Sequence, residues 1–267
     1  MVDTADDTER RERPGPTWGD RVRFVLRGIG QTLITLGVVV LLFVVYEVYV
    51  TNWFAEHEQA QVRTALKKQW LDAVKDPLLP LPGQSAPKLP EGQGIAYLYI
   101  PRLGRDFGYA IVQGTSQADL EKGPGHYVGT ALPGQRGNFA IAGHRVGKGE
   151  PFLNLDQLQA GDAVIVQTDS NWFVYRVGGT PGDISAAGLD GVPGREIVDP
   201  SDGNVLLPVP DHPDAPAKHR WMTLTTCHPK FTATQRMILH AVLAQTVRAH
   251  GLAMPAAISA LYNQVRS

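Results

Sequence analysis

Cys227 is the one cysteine in a chain of 267 residues, so neither an internal disulfide nor a cysteine-based zinc site can form. A lone Cys is usually a small buried apolar residue. Here it ends the run Trp221-Met-Thr-Leu-Thr-Thr-Cys227 and precedes His228-Pro229, the kind of strand end whose side chain reaches the surface at a barrel mouth. The buried-residue and nucleophile readings therefore stand side by side. Arg236 follows an eight-residue connection, HPKFTATQ. An antiparallel hairpin closed by that loop sets Cys227 and Arg236 close to opposite one another, with Cβ atoms about 4.5–5.5 Å apart. A guanidinium there favours a thiolate or holds a developing oxyanion. Its ordinary alternative is an exposed strand Arg paired with a carboxylate.

A base or acid would have to lie within hydrogen-bond reach of the nucleophile or the leaving group, and eight histidines compete. His144 ends Asn138-Phe-Ala-Ile-Ala-Gly-His144, a strand running into a glycine-containing turn. His57 falls in an N-terminal helical segment, and His212, His219 and His250 fall in long loops or near the end. His240 alternates in phase with Arg236 but stands roughly 13 Å further along that strand. His126 and His228 are the rivals, and His228 is weakened because adjacent strand residues face opposite sides. Spacing alone puts His144 ahead by a small margin.

The elements that must position these residues are strands. Ile95-Ala-Tyr-Leu-Tyr-Ile100, residues 109–112, 139–142 and 163–168, Trp172-Phe-Val-Tyr-Arg-Val177, residues 221–227 and residues 236–247 are rich in strand formers and separated by turn residues. With 28 Gly and 20 Pro in the chain and few helices between strands, an all-β antiparallel barrel or sandwich is expected. One short helix is expected within 116–126, with Ser116 as N-cap and Gly123-Pro124-Gly125 as its stop. Residues 178–220 read as one long loop region with a strand at 205–207, and residues 255–265 as a closing helix. There is no internal repeat.

Gly28 to Tyr46 carries no charge, and about 20 apolar residues span a bilayer core. The run exceeds a signal-peptide core, and Val50-Thr51-Asn52-Trp53-Phe54 offers no small-x-small cleavage site. Arg10, Arg11, Arg13, Arg21, Arg23 and Arg27 outnumber Arg63, Lys67 and Lys68 on the other side, so the N-terminus is expected in the cytoplasm and the remainder outside. Tyr46, Tyr49 and Trp53 then suit the outer interface. The expected organisation is a cytoplasmic tail (1–27), a transmembrane anchor (28–50), a stalk helix and Pro-rich linker (51–92), a catalytic domain (93–250) and a C-terminal helix or tail (251–267). In the stalk, Val62, Leu66, Trp70 and Val74 recur at i+4, a stripe suited to packing on the domain. A net charge of −1 argues against nucleic acid as a partner, and 43% hydrophobic residues argue against disorder.

Together these residues resemble the sortases, membrane-anchored cysteine transpeptidases of Gram-positive cell walls. The carriers are Ile95-Ala-Tyr-Leu-Tyr-Ile-Pro-Arg-Leu103, Asn138 to His144, Thr223-Leu-Thr-Thr-Cys227 and Arg236, covering about residues 93–247. The run through Cys227-His-Pro-Lys-Phe231 and Gly125-His-Tyr-Val-Gly-Thr-Ala-Leu-Pro-Gly134 most resemble class E sortases of actinobacteria. A class C pilin-polymerising relative is the alternative, and no lid segment with an Asp-Pro-Trp type motif precedes the barrel. The resemblance implies an eight-stranded sortase barrel with Cys227 as nucleophile, His144 as the acid for the leaving amine and Arg236 as oxyanion and backbone support. It also implies cleavage of an LAXTG or LPXTG-type sorting signal between Thr and Gly through a thioacyl enzyme. The acceptor it implies is a peptidoglycan precursor (lipid II) amine. Tyr127 is carried over as a signal-reading residue and Thr226 as a second substrate contact. With reference pKa values near 8.5 and 6.5, about 1% of such an enzyme holds thiolate and imidazolium together, enough for a slow catalyst.

Other enzyme classes fit less well. Papain-like and amidase-type hydrolases place Cys before His, and L,D-transpeptidases place Cys and Arg nearly adjacent. A non-catalytic anchored β-barrel that binds ligands needs Cys227 inert. No cofactor is required. Calcium is the one ion to consider, because some sortases bind it in the loop before the catalytic strand, where Asp199, Asp202, Asp211 and Asp214 lie here. No ligand spacing supports it.

Overall fold

The computed structural model describes residues 18–46, 51–75, 89–147 and 149–264. The tail expected before residue 18, Tyr49 and most of the Pro-rich linker lie outside the described residues. Helix α1 (Trp18–Val45) begins at Trp18 rather than Gly28, because Arg21, Arg23 and Arg27 interrupt hydropathy without opposing helix. Its span Arg21–Val45 has mean hydropathy 2.3 and exposed side chains, and it belongs to the first of two compact units.

The second unit is Val48–Ser267, and helix α2 (Thr51–Lys75) is packed within it. Leu66 and Trp70 are buried against Tyr97 and Ala110, with Val62 alongside. Gln59 is 5% exposed and mimics a strand backbone. Its Oε1 accepts from the Ala110 amide at 2.9 Å, while its Nε2 donates to the Ala110 carbonyl at 3.0 Å and to that of Lys122. Val62, Leu66 and Trp70 of the expected stripe are therefore spent on the barrel, the Val74 side chain lying outside the described residues, and α2 is a part of the folded unit rather than a spacer.

The strands are β1 (Gly94–Tyr99), β2 (Tyr109–Gln113), β3 (Gly125–His126), β4 (Gly137–Ala142), β5 (Ala163–Gln167), β6 (Asn171–Val177), β7 (Arg195–Val198), β8 (Arg220–His228) and β9 (Gln235–Arg248). Neighbours run β6-β5-β1-β2-β3-β4-β8-β9, and β9 returns to β6, closing an eight-stranded barrel with β7 attached outside the ring to β9. Closure removes free strand ladders. β9 achieves it by length: residues 235–242 pair with β8 and residues 241–248 pair with β6. The lumen is filled by side chains such as Leu98, Ile111, Phe139, Ile141, Met222 and Leu224.

Several local expectations differ. The strand expected at 205–207 is a 3-10 turn, Asn204–Leu206, and a strand lies instead at β7. Arg195 and Glu196 hid that strand, since it pairs on the barrel's outside where polar residues are tolerated. β3 is two residues long, too short to show a period. The helix after Ser116 is α3 (Gln117–Leu120), closed by a capping box between Ser116 and Asp119. The closing helix is two single turns, α4 (Ala256–Ser259) and α5 (Leu261–Gln264), whose Ile258 and Leu261 bury against Ile165 and Trp172.

Replacing Gln59 with Ala strands a buried amide and carbonyl at Ala110. Urea unfolding of residues 51–267 is expected to show a loss of about 1–3 kcal/mol, with Gln59→Glu at least as damaging because its carboxylate would face the Ala110 and Lys122 carbonyls.

Candidate active site

Three neighbouring strands build the site. β4 and β8 run parallel through six residue pairs, from Gly137 with Arg220 to Ala142 with Thr225. Carrying that register two residues on brings His144 level with Cys227, and adjacent strands lie about 4.8 Å apart. On the other side β9 is antiparallel, and Arg236 is the register partner of Cys227. His144, Cys227 and Arg236 thus form one row across three strands, each half-buried, with Cys227 a free thiol. Alternation fixes the face. Phe139 and Ile141, Met222 and Leu224, and Met237 and Leu239 point into the core, so the row lies on the outer wall at the barrel's end.

The turn bearing His144 is tied down from several directions. The Gly143 amide donates to the Thr225 carbonyl at 3.1 Å and the Phe152 amide to the His144 carbonyl at 3.0 Å. Thr226 is 3% exposed, and its hydroxyl donates to the Gly143 carbonyl at 2.8 Å. That hydroxyl secures the His144 turn. A Cβ on Gly143 would lie 2.5 Å from Phe152 Cδ2, so only glycine lets the plug residue Phe152 close over the barrel's end. Arg236 Nη1 donates to the carbonyls of Ala233 at 3.1 Å and Gln235 at 2.9 Å, which ties the guanidinium to the backbone where the loop enters β9. Tyr127 is half-buried, its hydroxyl 2.9 Å from Thr225 Oγ1, two residues along β8 from the thiol.

The rival histidines are engaged elsewhere. His126 is 1% exposed, with Nδ1 on Gln113 and Nε2 on Ala131 and Thr130, and burial holds its pKa down. His228 accepts from Arg145 through Nδ1 at 2.9 Å; burial and that guanidinium both push its pKa down. Arg145 escaped sequence reasoning, because nothing in its type or spacing separates a buried arginine from a solvated one.

Behind the row, β4 and β8 hold the long connection of residues 199–219. Asn138 donates through Nδ2 to the Val205 and Leu207 carbonyls, both at 3.1 Å. Thr223 donates to Asn138 Oδ1 at 2.8 Å. Its one proton being used, Thr223 accepts from His240 Nδ1 at 2.9 Å, and His240 Nε2 meets Glu196 at 2.9 Å. That contact lowers the Glu196 pKa, whereas burial and then the Glu196 charge push Asp211 up to about 6. Of the four aspartates considered for calcium, Asp211 sits with Glu196 and His240. Asp199 and Asp202 accept from Ser201 and Asn204 in their own turns, and Asp214 is exposed. The cluster around Asp211 includes a buried imidazole, and the charge of Asp202 also acts on Asp211.

Asp211 binds its proton more tightly folded than unfolded, so it favours the fold at low pH and that contribution is lost as pH rises from about 3.8 to about 6. Asp211→Asn, which keeps a donor toward Glu196, is expected to raise Tm at pH 7–8. The gain should shrink below about pH 6 and vanish below about pH 3.8, as read by thermal melts across pH.

The Sortase domain family matches residues 98–244. Sortase SrtE1 of Streptomyces coelicolor is 36% identical over 220 residues, covering 80% of this chain and 55% of that protein; the chain thus spans about half the length of that relative. Sortase SrtE2 of the same organism is 29% identical over 259 residues, covering 92% of this chain and 94% of that protein. Among solved structures, the SrtF sortase from Corynebacterium diphtheriae superposes with a TM-score of 0.59 at 39% identity, covering 67% of this chain and 98% of that one. Sortase E from Streptomyces avermitilis gives 0.52 at 35% identity, covering 63% and 99%. With a closed eight-stranded barrel and these relatives, the chain belongs to the sortase family of cysteine transpeptidases and is class E-like.

Proposed function

We propose that this protein cleaves a C-terminal LAXTG or LPXTG-type sorting signal between Thr and Gly and joins the new Thr carboxyl end to a peptidoglycan precursor (lipid II) amine. The observation that carries this reading is Cys227 on β8 opposite Arg236 on β9, with His144 two residues past the end of β4, the parallel neighbour of β8. The Cys227 thiolate attacks the Thr carbonyl carbon, a C–S bond forms, and the carbonyl electrons collect on oxygen. Arg236, always charged, holds that oxyanion and the substrate backbone. The tetrahedral centre collapses as His144 passes its proton to the departing glycine amine, leaving a thioester. An acceptor amine then attacks the thioester, His144 takes the proton it sheds, and Cys227 leaves as thiolate. The Tyr127 ring, fixed by Thr225 two residues along β8 from Cys227, is the candidate reader of the signal's second position.

We infer a single-pass membrane protein. The unburied apolar helix Arg21–Val45 and the arginines before it favour a cytoplasmic N-terminus with the barrel outside. That arrangement places the barrel on the side where wall precursors are found.

Mass spectrometry of residues 51–267 incubated with LAXTG and LPXTG peptides and an amine acceptor tests the reading. A Thr–amine product, formed faster from LAXTG and absent in Cys227→Ala, is expected. Arg236→Lys is expected to lose about 10²–10³ in kcat, the usual effect of removing an oxyanion donor. Tyr127→Phe is expected to alter the preference between the two peptides more than the turnover of either. An unreactive thiol and no cleavage of either peptide would move the function to a binding barrel.

A further inference from the structure

The His144 turn and the Cys227 strand end make a second contact on the side opposite the row. Arg145 follows His144, and His228 follows Cys227, so by alternation both face the barrel's plugged end. There Arg145 is 4% exposed, beneath the loop whose Phe152 and Leu155 bury in the core. Its Nη1 donates to the Cys227 carbonyl at 3.3 Å and to His228 Nδ1 at 2.9 Å, and its Nη2 pairs with Asp156 at 3.3 Å. The paired ladder of β4 with β8 stops at Ala142 and Thr225, before either reacting residue is reached. Beyond that point the relative height of His144 and Cys227 rests on the Gly143 bonds above and on this guanidinium below.

We propose that Arg145 is a positioning residue, a buried clamp that sets Cys227 against His144 and keeps His228 a neutral, non-competing imidazole. The proposal rests on the sortase reading for its effect on turnover, but not for its effect on the thiol. One planar fork serves three acceptors at once from two separate nitrogens in fixed directions; the three donors of an ammonium radiate from a single nitrogen and do not reproduce that spread. His228 must offer Nδ1 as a lone pair to accept from an always-charged donor, so its proton resides on Nε2. That assignment removes the histidine nearest in sequence to Cys227 from proton transfer and leaves the task to His144. Asp156 balances the buried charge, so the clamp is held from the loop as well.

The test uses Arg145→Lys and Arg145→Gln in the chain carrying α2 and the barrel, with three readouts. Turnover with the sorting peptide is expected to fall between about tenfold and a hundredfold in kcat, the usual effect of a displacement near 1 Å, with KM changed less than about threefold. NMR titration of His228 is expected to move up toward the ordinary histidine value of about 6.5. Alkylation of Cys227 by iodoacetamide, which needs no sorting signal, is expected to slow. Folded Arg145 variants with wild-type kcat, alkylation rate and His228 titration would overturn the clamp. Should they not fold, Asp156→Asn and His228→Gln each loosen one arm, and unchanged alkylation and kcat in both would overturn it equally. A wild-type protein inactive on every peptide, with alkylation still slowed in the variants, would refute the sorting-signal reading and sustain the clamp.

Discussion

Everything at the site depends on the placement of β8 between a parallel neighbour and an antiparallel one. Parallel pairing with β4 makes the two strands end at the same edge, so His144 and Cys227 emerge together. Antiparallel pairing with β9 makes the next strand begin where β8 ends, so Arg236 enters at the same height. Parallel neighbours need a long crossover, and the chain between β4 and β8 supplies one that contains β5, β6 and β7. A register slip of one residue on either side would send a reacting group to the opposite face, which explains how many polar contacts are invested in holding these three strand ends.

Those contacts form two layers. On the outer face, Thr223, Asn138, His240 and Glu196 bind the connection 199–219 against the barrel wall. A buried polar relay of this kind is costly unless each member is satisfied, and Asn138 with Thr223 meets the requirement by spending every proton on a defined acceptor. At the plugged end, Arg145, His228 and Asp156 form the other layer. The thiol lies between them, half-exposed, on a strand whose preceding residues are buried.

Much of this was legible in the sequence because it follows from local rules. The eight-residue connection after Cys227 dictates the hairpin, and hence the opposition of Cys227 and Arg236. The Asn138 to His144 run announced a strand ending at a glycine turn, and the strong strand formers gave seven of the strands. What was not legible depends on tertiary context. β7 is strand only because β9 offers it a partner outside the ring. The bond from Thr226 to the Gly143 carbonyl joins residues far apart in the chain and depends on which face of β8 Thr226 takes. Arg145 and the Gln59 contact arise from pairings between residues far apart in the chain, which periodicity does not report.

The Gln59 contact has one more consequence. β2 pairs with β3 only at Val112 and Gln113, so the outward amide and carbonyl of Ala110 form a short unpaired stretch of strand edge, and Gln59 on α2 fills it. An open edge beside apolar Tyr97 is a template on which another chain can add a strand. Helix α2 is thus also a guard against self-association, and a fragment trimmed at the Pro-rich segment would keep its reacting row while exposing an adhesive seam.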